Sequence, residues 1–115
     1  MHDSPPPWPR PPKACPNDRL RLVPAGARVC VAGLVLVRQR PGTAKGVIFV
    51  TLEDETGVCN VVVWAKVFET FRRAVIAGRL LRVTGRMQRE GGVSHIIAEK
   101  VEDLSPLLDH LLEPV

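Results

Sequence analysis

The chain has 115 residues and a formal net charge of +4, which fits one domain with a modest core and favours an anionic partner, although the same excess is common as a solubility feature. Its three cysteines, an odd number without CxxC or histidine-paired spacing, argue against a disulfide framework and against a zinc site. The sequence has neither an apolar run of membrane-spanning length nor the apolar segment of a secretory signal, so we expect a cytoplasmic protein with no membrane partner.

Proline dominates the N-terminal part of the chain, where residues 1–27 hold eight of the eleven prolines. Proline removes backbone donors and fixes φ, so the run SPPPWPRPPKACP cannot form a regular helix or a paired strand. We therefore predict that residues 1–27 are an extended, disordered arm, in which Trp8 is available to dock on a partner. The favoured interpretation of this arm is an inert leader or a misassigned start codon, and docking through Trp8 is the alternative.

The folded unit is predicted to begin at residue 28 with three strands. The first, at 28–38, is apolar on both faces, and Gly33 in its middle suggests a bend or bulge. A flexible basic loop, QRPGTAKG, leads to a second strand at 47–53, in which side chains alternate between two faces. The turn DETG and a third strand at 58–64 complete a hairpin.

One helix and two further strands follow. Residues 65–77 carry an apolar stripe at helical spacing, and Gly78 is the expected stop. Alternating apolar residues predict a fourth strand at 80–88 and a fifth at 93–101, joined by the hairpin loop REGG. We expect residues 106–115 to form a tail or a short helix.

The predicted order is β-β-β-α-β-β, which is the order of the oligonucleotide/oligosaccharide-binding (OB) fold. It predicts an all-β protein, a five-stranded Greek-key barrel with one helix, over residues 28–105. In such barrels strands two and three bind the ligand, together with the loop between strands one and two and the loop between strands four and five. The expected function is therefore nucleic-acid binding.

Basic and aromatic side chains fall on these loops and strands. Arginine and lysine bind phosphates, whereas an aromatic or amide group on the sheet stacks on a base or hydrogen-bonds it. Phe49 points away from the predicted core, so it is the stacking candidate, with coverage by the arm as the alternative. Trp64 is predicted to pack beneath the helix, and His95 to be structural. The candidate nucleic-acid-binding residues are Arg38, Arg40, Lys45, Phe49, Asn60, Arg82, Arg86 and Arg89.

Reaction chemistry has little support in the sequence, which contains no nucleophile motif, P-loop or dinucleotide fingerprint. The acids of the DETG turn favour a solvated turn in which Asp54 caps Gly57, not a metal site. Cys30 and Cys59 lie in apolar strands and are expected in or near the core. We predict no catalytic residues, no metal and no cofactor, and therefore that this chain is not an enzyme.

Three blocks of the sequence resemble one known family. They are VAGLVLVRQRPGTAKGVIFVTLEDETGVCNVVVW, KVFETFRR and LLRVTGRMQREGGVSHIIAEKVEDLS, which together cover about residues 28–105. They resemble the C-terminal OB domain of the bacterial error-prone DNA polymerase, a paralogue of the C-family replicative alpha subunit. The resemblance implies contact with single-stranded template DNA. By motif position it places on the binding face or beside its loops Arg38, Arg40, Lys45, Phe49, Arg86 and Arg89.

A polymerase of this family has its catalytic carboxylates in an upstream palm domain, which this sequence does not contain. The resemblance therefore implies a binding module, whether as a stand-alone protein, a gene remnant or an excised domain. Two alternatives stay open. One is a protein-interaction module that docks a polymerase or an accessory factor. The other is an RNA-binding barrel similar to the anticodon-binding domain of class II aminoacyl-tRNA synthetases.

Overall fold

The computed structural model describes residues 14–40 and 46–112, with side chains up to residue 108, and most of these residues form strands of one closed barrel. Around the barrel the strands follow the order β1-β2-β3-β5-β4, and β1 closes the circle by pairing with β4. The elements are a 3₁₀ helix at Asn17–Leu22, β1 at Arg28–Gln39, β2 at Ile48–Asp54, β3 at Gly57–Val63, α1 at Ala65–Thr70, α2 at Arg72–Ala77, β4 at Leu80–Glu90, β5 at Val93–Asp103 and α3 at Ser105–Leu112.

Strand β1 closes the barrel because it pairs with two neighbouring strands. Its N-terminal half pairs with β4 and its C-terminal half pairs with β2, both antiparallel. Strands β3 and β5 run parallel, with Val61 opposite Ile96 and Val62 opposite Ile97. The barrel is consistent with an OB fold and confirms the predicted fold class, with helical residues between β3 and β4 as predicted.

Two glycines allow neighbouring backbones to approach closely where the barrel bends. A Cβ at Gly33 would lie 2.6 Å from the carbonyl oxygen of Glu53 on β2. A Cβ at Gly85 would overlap the carbonyl oxygen of Ile97 and lie 2.8 Å from its carbonyl carbon. The β4–β5 register shifts at Gly85 itself, whereas the β1–β2 register shifts at Leu36, three residues after Gly33. The predicted irregularity of β1 is therefore present, with the bulge displaced from the glycine.

The core is built from the inward-facing residues of all five strands and closed by residues from outside the sheet. Phe68 of α1 and Val75 of α2 are 6% and 1% exposed, and Leu20 of the 3₁₀ helix is also buried in the same cluster. Helical residues and the N-terminal segment thus supply apolar side chains that the strands alone do not provide. The largest fully buried strand residues are Leu52, Leu81, Ile96, Val31, Val61, Val63 and Val83.

Residues 14–27 belong to the folded unit, which corrects the predicted extent of the disordered arm. The backbone N–H of Cys15 donates to the carbonyl of Cys30 on β1 at 2.7 Å. Asn17 is buried, and its backbone N–H donates to the Oδ2 atom of Asp54 at 2.8 Å. The Asn17 Nδ2 group donates to the carbonyl of Gly57 at 3.0 Å. These partners lie 15 to 40 residues away in sequence, so a local pattern could not reveal them; residues 1–13 lie outside the described ranges.

Replacement of Asn17 by alanine is expected to lower the free energy of unfolding by about 1–2 kcal/mol. The carbonyls of Leu52 and Gly57 then lose the hydrogen bonds that the Asn17 Nδ2 group donates. Loss of the Oδ1 atom, which is buried and has no hydrogen-bond partner among the described residues, offsets part of this cost. Urea unfolding measures the change. Asp18→Ala is the matched control, because Asp18 is the next residue and its side chain is exposed. It is expected to change the free energy of unfolding by less than about 0.5 kcal/mol. Equal effects of the two variants would contradict a specific role for Asn17.

The helical region differs from the single predicted helix. It is two helices, α1 and α2, interrupted at Phe71, whose φ of −115° and ψ of 31° leave the helical region. Gly78 follows α2 directly, as predicted, but with an extended backbone. Within the described ranges, no helix combines the length and the apolar character needed to cross a bilayer.

The β2–β3 turn forms as predicted. The Oδ1 atom of Asp54 accepts hydrogen bonds from the backbone N–H groups of Thr56, at 2.8 Å, and Gly57, at 3.1 Å. This side chain therefore satisfies the turn with one oxygen while its other oxygen accepts from Asn17. The turn and the 3₁₀ helix consequently stabilise each other.

Candidate nucleic-acid interface

Four adjacent strands, β2, β3, β5 and β4, present one continuous outer surface, which we call the sheet face. Its first row follows from the strand pairing: Phe49 lies opposite Val62, Val62 opposite Ile97, and Ile97 opposite Arg86. The side chains beside these in each strand point into the core, so the row faces outward. The predicted outward orientation of Phe49 is confirmed.

A second row on the sheet face is polar. Thr51 lies opposite Asn60, and its hydroxyl is 3.3 Å from the Oδ1 atom of Asn60. Asn60 and His95 each precede the paired residues of β3 and β5 by one position, so they occupy the same level. His95 in turn lies opposite Gln88 on β4. The sheet face therefore offers an apolar row next to a row of hydrogen-bonding groups.

An open groove of about 400 Å³ runs along the apolar row. Trp64, which follows β3 in the same alternation as Asn60 and Val62, borders the groove and is 53% exposed. The interpretation that Trp64 packs beneath the helix is therefore wrong. Its ring is accessible at a position where a flat apolar ligand would contact it. The groove is lined by Val47, Phe49, Val62, Trp64, Gln88, Glu90, His95 and Ile97.

A second open groove, of about 410 Å³, lies between the start of β3 and the β4–β5 hairpin. Asn60 and His95 line this groove, and His95 also borders the first one. Arg21 of the 3₁₀ helix lines it from the N-terminal side. The two grooves meet at His95, so they form one path across the face.

The β4–β5 hairpin is tight. Gly91 and Gly92 occupy the turn with φ values of 55° and 81°, a backbone that favours glycine at both positions. Arg89 braces the hairpin, since its Nε group donates to the hydroxyl of Ser94 at 3.0 Å and its Nη2 group donates to the carbonyl of Leu20 at 3.2 Å. Arg89 thus links the hairpin to the 3₁₀ helix.

The two predicted arginines in the middle of β4 form internal ion pairs. Arg82 binds Glu102 through two hydrogen bonds of 3.0 and 2.5 Å, and the bonds from Arg82 hold the pKa of the Glu102 carboxyl below its ordinary value. Arg86 donates to Glu99 at 3.2 Å and to the carbonyl of Gly26 at 3.2 Å. The Arg82 charge is thus paired on the barrel, whereas Arg86 shares Glu99 with Arg28 and its charge is only partly balanced.

The predicted residues around the β1–β2 loop lie against the helices. Arg38 donates to the carbonyls of Val75, at 2.6 Å, and Gly78, at the C-terminal end of α2. Arg40 lies over the ring of Phe68, 5.1 Å from its centroid. Lys45 lies outside the described residues. The contacts therefore divide the predicted basic residues between the helical region and the β4–β5 side.

The sequence that forms this barrel matches a known family. A family model described as an OB-fold nucleic acid binding domain, the tRNA anti-codon type, matches residues 29–104, from the second residue of β1 through the end of β5. The chain belongs to this family. It is therefore an OB-fold nucleic-acid-binding domain.

Curated relatives of this OB domain confirm the resemblance found in the sequence. The error-prone DNA polymerase of Ruegeria pomeroyi is 64% identical over 104 residues, which are 90% of this chain and 9% of the relative. The error-prone DNA polymerase of Caulobacter vibrioides is 57% identical over 96 residues, 84% of this chain and 9% of the relative. The chain thus spans about a tenth of the length of these polymerases and is homologous to their OB region.

Among solved structures, the asparaginyl-tRNA synthetase from Pyrococcus horikoshii is similar to this OB domain. The two share 32% identity and a TM-score of 0.58, over 70% of this chain and 20% of the synthetase. The likeness supports the barrel assignment independently of the polymerases.

The core thiol and the acidic and histidine side chains of the described residues are groups of the kinds that a nucleophile or a metal site requires. Burial raises the pKa of the Cys59 thiol from 9.0 to about 12, so this thiol stays protonated and is a poor nucleophile. Cys30 is half-buried and Cys59 is buried, as predicted. In the two described ranges, no three histidine, cysteine or acidic side chains cluster in a way that would hold a metal ion.

The sequence interpretation missed two residues that line the interface of the OB domain, Trp64 and His95. The signal for both was available as alternation, since Asn60, Val62 and Trp64 share one parity in β3, and His95 and Ile97 share one parity in β5. The strand pairing that brings the two sets together is not visible in either segment alone.

Proposed function

We propose that this OB domain binds single-stranded DNA along the sheet face. The observation that supports it best is the groove beside Trp64, where an exposed indole and a partly buried Phe49 lie next to polar Gln88 and His95. Unpaired bases stack on aromatic side chains of this kind, and each stack contributes about 1–3 kcal/mol. The parallel row of hydrogen-bonding groups suits the edges of the same bases.

The candidate residues take different roles in this proposal. Phe49 stacks on a base and Asn60 hydrogen-bonds a base edge, since both lie on the sheet face. Arg40 and Lys45 flank the β1–β2 loop and contact phosphates, as does Arg86 at the edge of the face. Three arginines whose guanidinium groups bond to other parts of the protein stabilise the barrel around the bound DNA: Arg38, Arg82 and Arg89.

DNA is proposed over RNA because the curated relatives are DNA polymerases with 57% and 64% identity. Binding of RNA is the second candidate, and the similarity to a tRNA synthetase favours it. We further propose that the module itself catalyses no reaction, that polymerase chemistry belongs to the remainder of the relatives' length, and that the module works in the cytoplasm beside a DNA polymerase or an accessory subunit. Docking on such a protein without DNA is the alternative.

Fluorescence anisotropy with labelled oligo-dT of about 20 nucleotides, a length above the footprint of one OB fold, tests the proposal. Binding is expected to weaken steeply with salt, with a slope in log–log form of about −0.7 per phosphate contact. Single-stranded RNA and duplex DNA serve as competitors. Phe49→Ala is expected to reduce the affinity about 5- to 150-fold through loss of one stack of about 1–3 kcal/mol.

Leu36→Ala is the control for this experiment, because Leu36 is exposed on β1 outside the sheet face. It is expected to leave the affinity unchanged. Absence of binding at low salt would refute the DNA-binding proposal and favour the protein-docking alternative. Stronger competition by RNA than by DNA of the same sequence would instead favour the second candidate.

A further inference from the structure

Positive charge is distributed unevenly between the two sides of this domain. On the β4–β5 side, the basic residues have carboxylate partners: Arg28 and Arg86 pair with Glu99, and Arg82 pairs with Glu102. Lys100 lies 3.8 Å from Glu102 as well, so each of these four cations has a carboxylate beside it. On α1 and α2, by contrast, Lys66, Arg72 and Arg73 have no such partner among the residues that the structure describes.

Two guanidinium groups converge on one ring in that region. Arg40, from the end of β1, and Arg72, from α2, each lie 5.1 Å from the centroid of Phe68. Phe68 is 6% exposed, so the two arginines cover it at the surface. The aromatic ring holds both cations by its quadrupole, which brings like charges together without a carboxylate between them.

Two further cations extend this surface. Lys66 on α1 and Arg73 on α2 are exposed, and neither forms an ion pair within the described parts of the chain. Across both helices the acidic residue is Glu69. We call the surface formed by Lys66, Arg72 and Arg73 the helical basic surface; Arg40, assigned above to phosphates of the single strand, borders it. Its charges repel one another, so a bound polyanion would relieve that repulsion.

We propose that the helical basic surface is a second DNA-binding site, which holds the phosphate backbone of duplex DNA adjoining the single strand on the sheet face. The choice of duplex follows from what this surface lacks. Its aromatic ring, Phe68, is buried, so it offers charge but no exposed ring on which an unpaired base would stack. A duplex hides its bases and presents phosphates, which is the ligand that such a surface recognises.

This inference extends the proposed function, and the two are tested separately by comparing ligands. One ligand is a single strand of about 8 nucleotides, within the footprint of one OB fold. The others are a duplex of about 20 base pairs with that strand as an overhang, and the same duplex with blunt ends. Binding of the full chain to each is measured by anisotropy at several salt concentrations.

Arg73→Glu is expected to weaken binding of the tailed duplex on the order of tenfold at low salt and to lower its salt slope by about 1, because one phosphate contact is lost. Binding of the short single strand is expected to stay within about twofold. Glu69→Lys, which adds a cation to the same surface, is expected to tighten binding of the tailed duplex. A gain of affinity cannot arise from misfolding.

Lys100→Glu is the control for net charge, since it makes the same change of charge on an exposed lysine of β5, although Lys100 lies 3.8 Å from Glu102 whereas Arg73 has no ion pair among the described residues. It is expected to leave binding of the tailed duplex within about twofold. The inference is overturned if Lys100→Glu and Arg73→Glu weaken the tailed duplex equally, because the effect is then one of net charge. It is also overturned if Arg73→Glu weakens the short strand as much as the tailed duplex.

The same ligands give a different set of results if the proposed function itself is wrong. If the sheet face does not bind DNA, the short strand fails to bind the unmodified protein, while the blunt duplex still reports on the helical basic surface. Arg73→Glu is then expected to weaken the blunt duplex and Glu69→Lys to tighten it. Equal duplex affinities for these two variants would overturn the inference, whatever the result with the short strand.

Discussion

Trp64→Ala is expected to weaken binding of a short single strand about 5- to 150-fold, the equivalent of one lost base–aromatic stack of about 1–3 kcal/mol. The indole is 53% exposed and borders the groove of the sheet face, so its removal takes away stacking surface without opening the core. Stability is therefore expected to change little. Anisotropy gives the affinity, and thermal unfolding verifies that the variant is folded.

Ile76→Ala is a close control for this experiment, because Ile76 on α2 is also 53% exposed and is apolar. It is expected to leave single-strand affinity unchanged. Intrinsic fluorescence adds an independent readout: in a Trp8→Phe background, Trp64 becomes the single tryptophan, and stacking of a base is expected to quench its emission. An unchanged affinity in Trp64→Ala would place the bound strand elsewhere on the barrel.

Gly85→Ala is expected to destabilise the domain by about 3 kcal/mol or more and to lower the Tm by on the order of 15 °C. The added Cβ would overlap the carbonyl oxygen of Ile97 and lie 3.1 Å from the Cα atom of Ala98, both in the backbone of the paired strand β5. Backbone atoms in a closed barrel cannot rotate away as a side chain does. Relief therefore requires β4 and β5 to separate at their bulge.

Thr84→Ala, at the preceding residue of β4, is the control for Gly85→Ala. Thr84 is half-buried on the outer side of the strand, and its replacement is expected to cost less than about 1 kcal/mol. Differential scanning calorimetry or chemical unfolding measures both variants. A Gly85→Ala protein with unchanged Tm would show that the close β4–β5 approach does not constrain the barrel.

Local patterns in the sequence were sufficient for the strands. Alternation in β2 places Ile48, Val50 and Leu52 inward, and the structure buries all three. The DETG turn and the glycine pair of the REGG hairpin were also predictable, because a carboxylate that accepts from nearby N–H groups and residues with positive φ are local requirements. These elements, in their order, were enough to predict the five-stranded barrel.

The N-terminal segment was not predictable in the same way. Proline content indicated an arm without regular structure, yet Asn17 and Leu20 are buried against the barrel. Leu20 fills a place in the core, and Asn17 bonds to the β2–β3 turn. Both contacts depend on where a distant hairpin ends in space, which composition cannot show.

The sequence predicted the kind of candidate site, a nucleic-acid-binding sheet face, but only some of the residues on it. Phe49 and Asn60 lie on the sheet face as their parity requires, because side-chain direction in a strand is a local property. Trp64 was assigned to the wrong environment, although its backbone is extended and continues the alternation of Asn60 and Val62. Which partner each arginine takes was not predictable from the sequence.

The sequence by itself determined the strands, the turns, the barrel order and the kinship with the OB region of error-prone DNA polymerases, because these depend on periodicity, turn chemistry and residue identity. The tertiary structure decided which charges remain available. Arg82 and Arg86 meet carboxylates from β5, whereas Arg40 and Arg72 meet at Phe68. The physical reason is that Coulomb interactions and cation–π contacts depend on distance in space, and strand pairing brings together residues that are far apart in the chain.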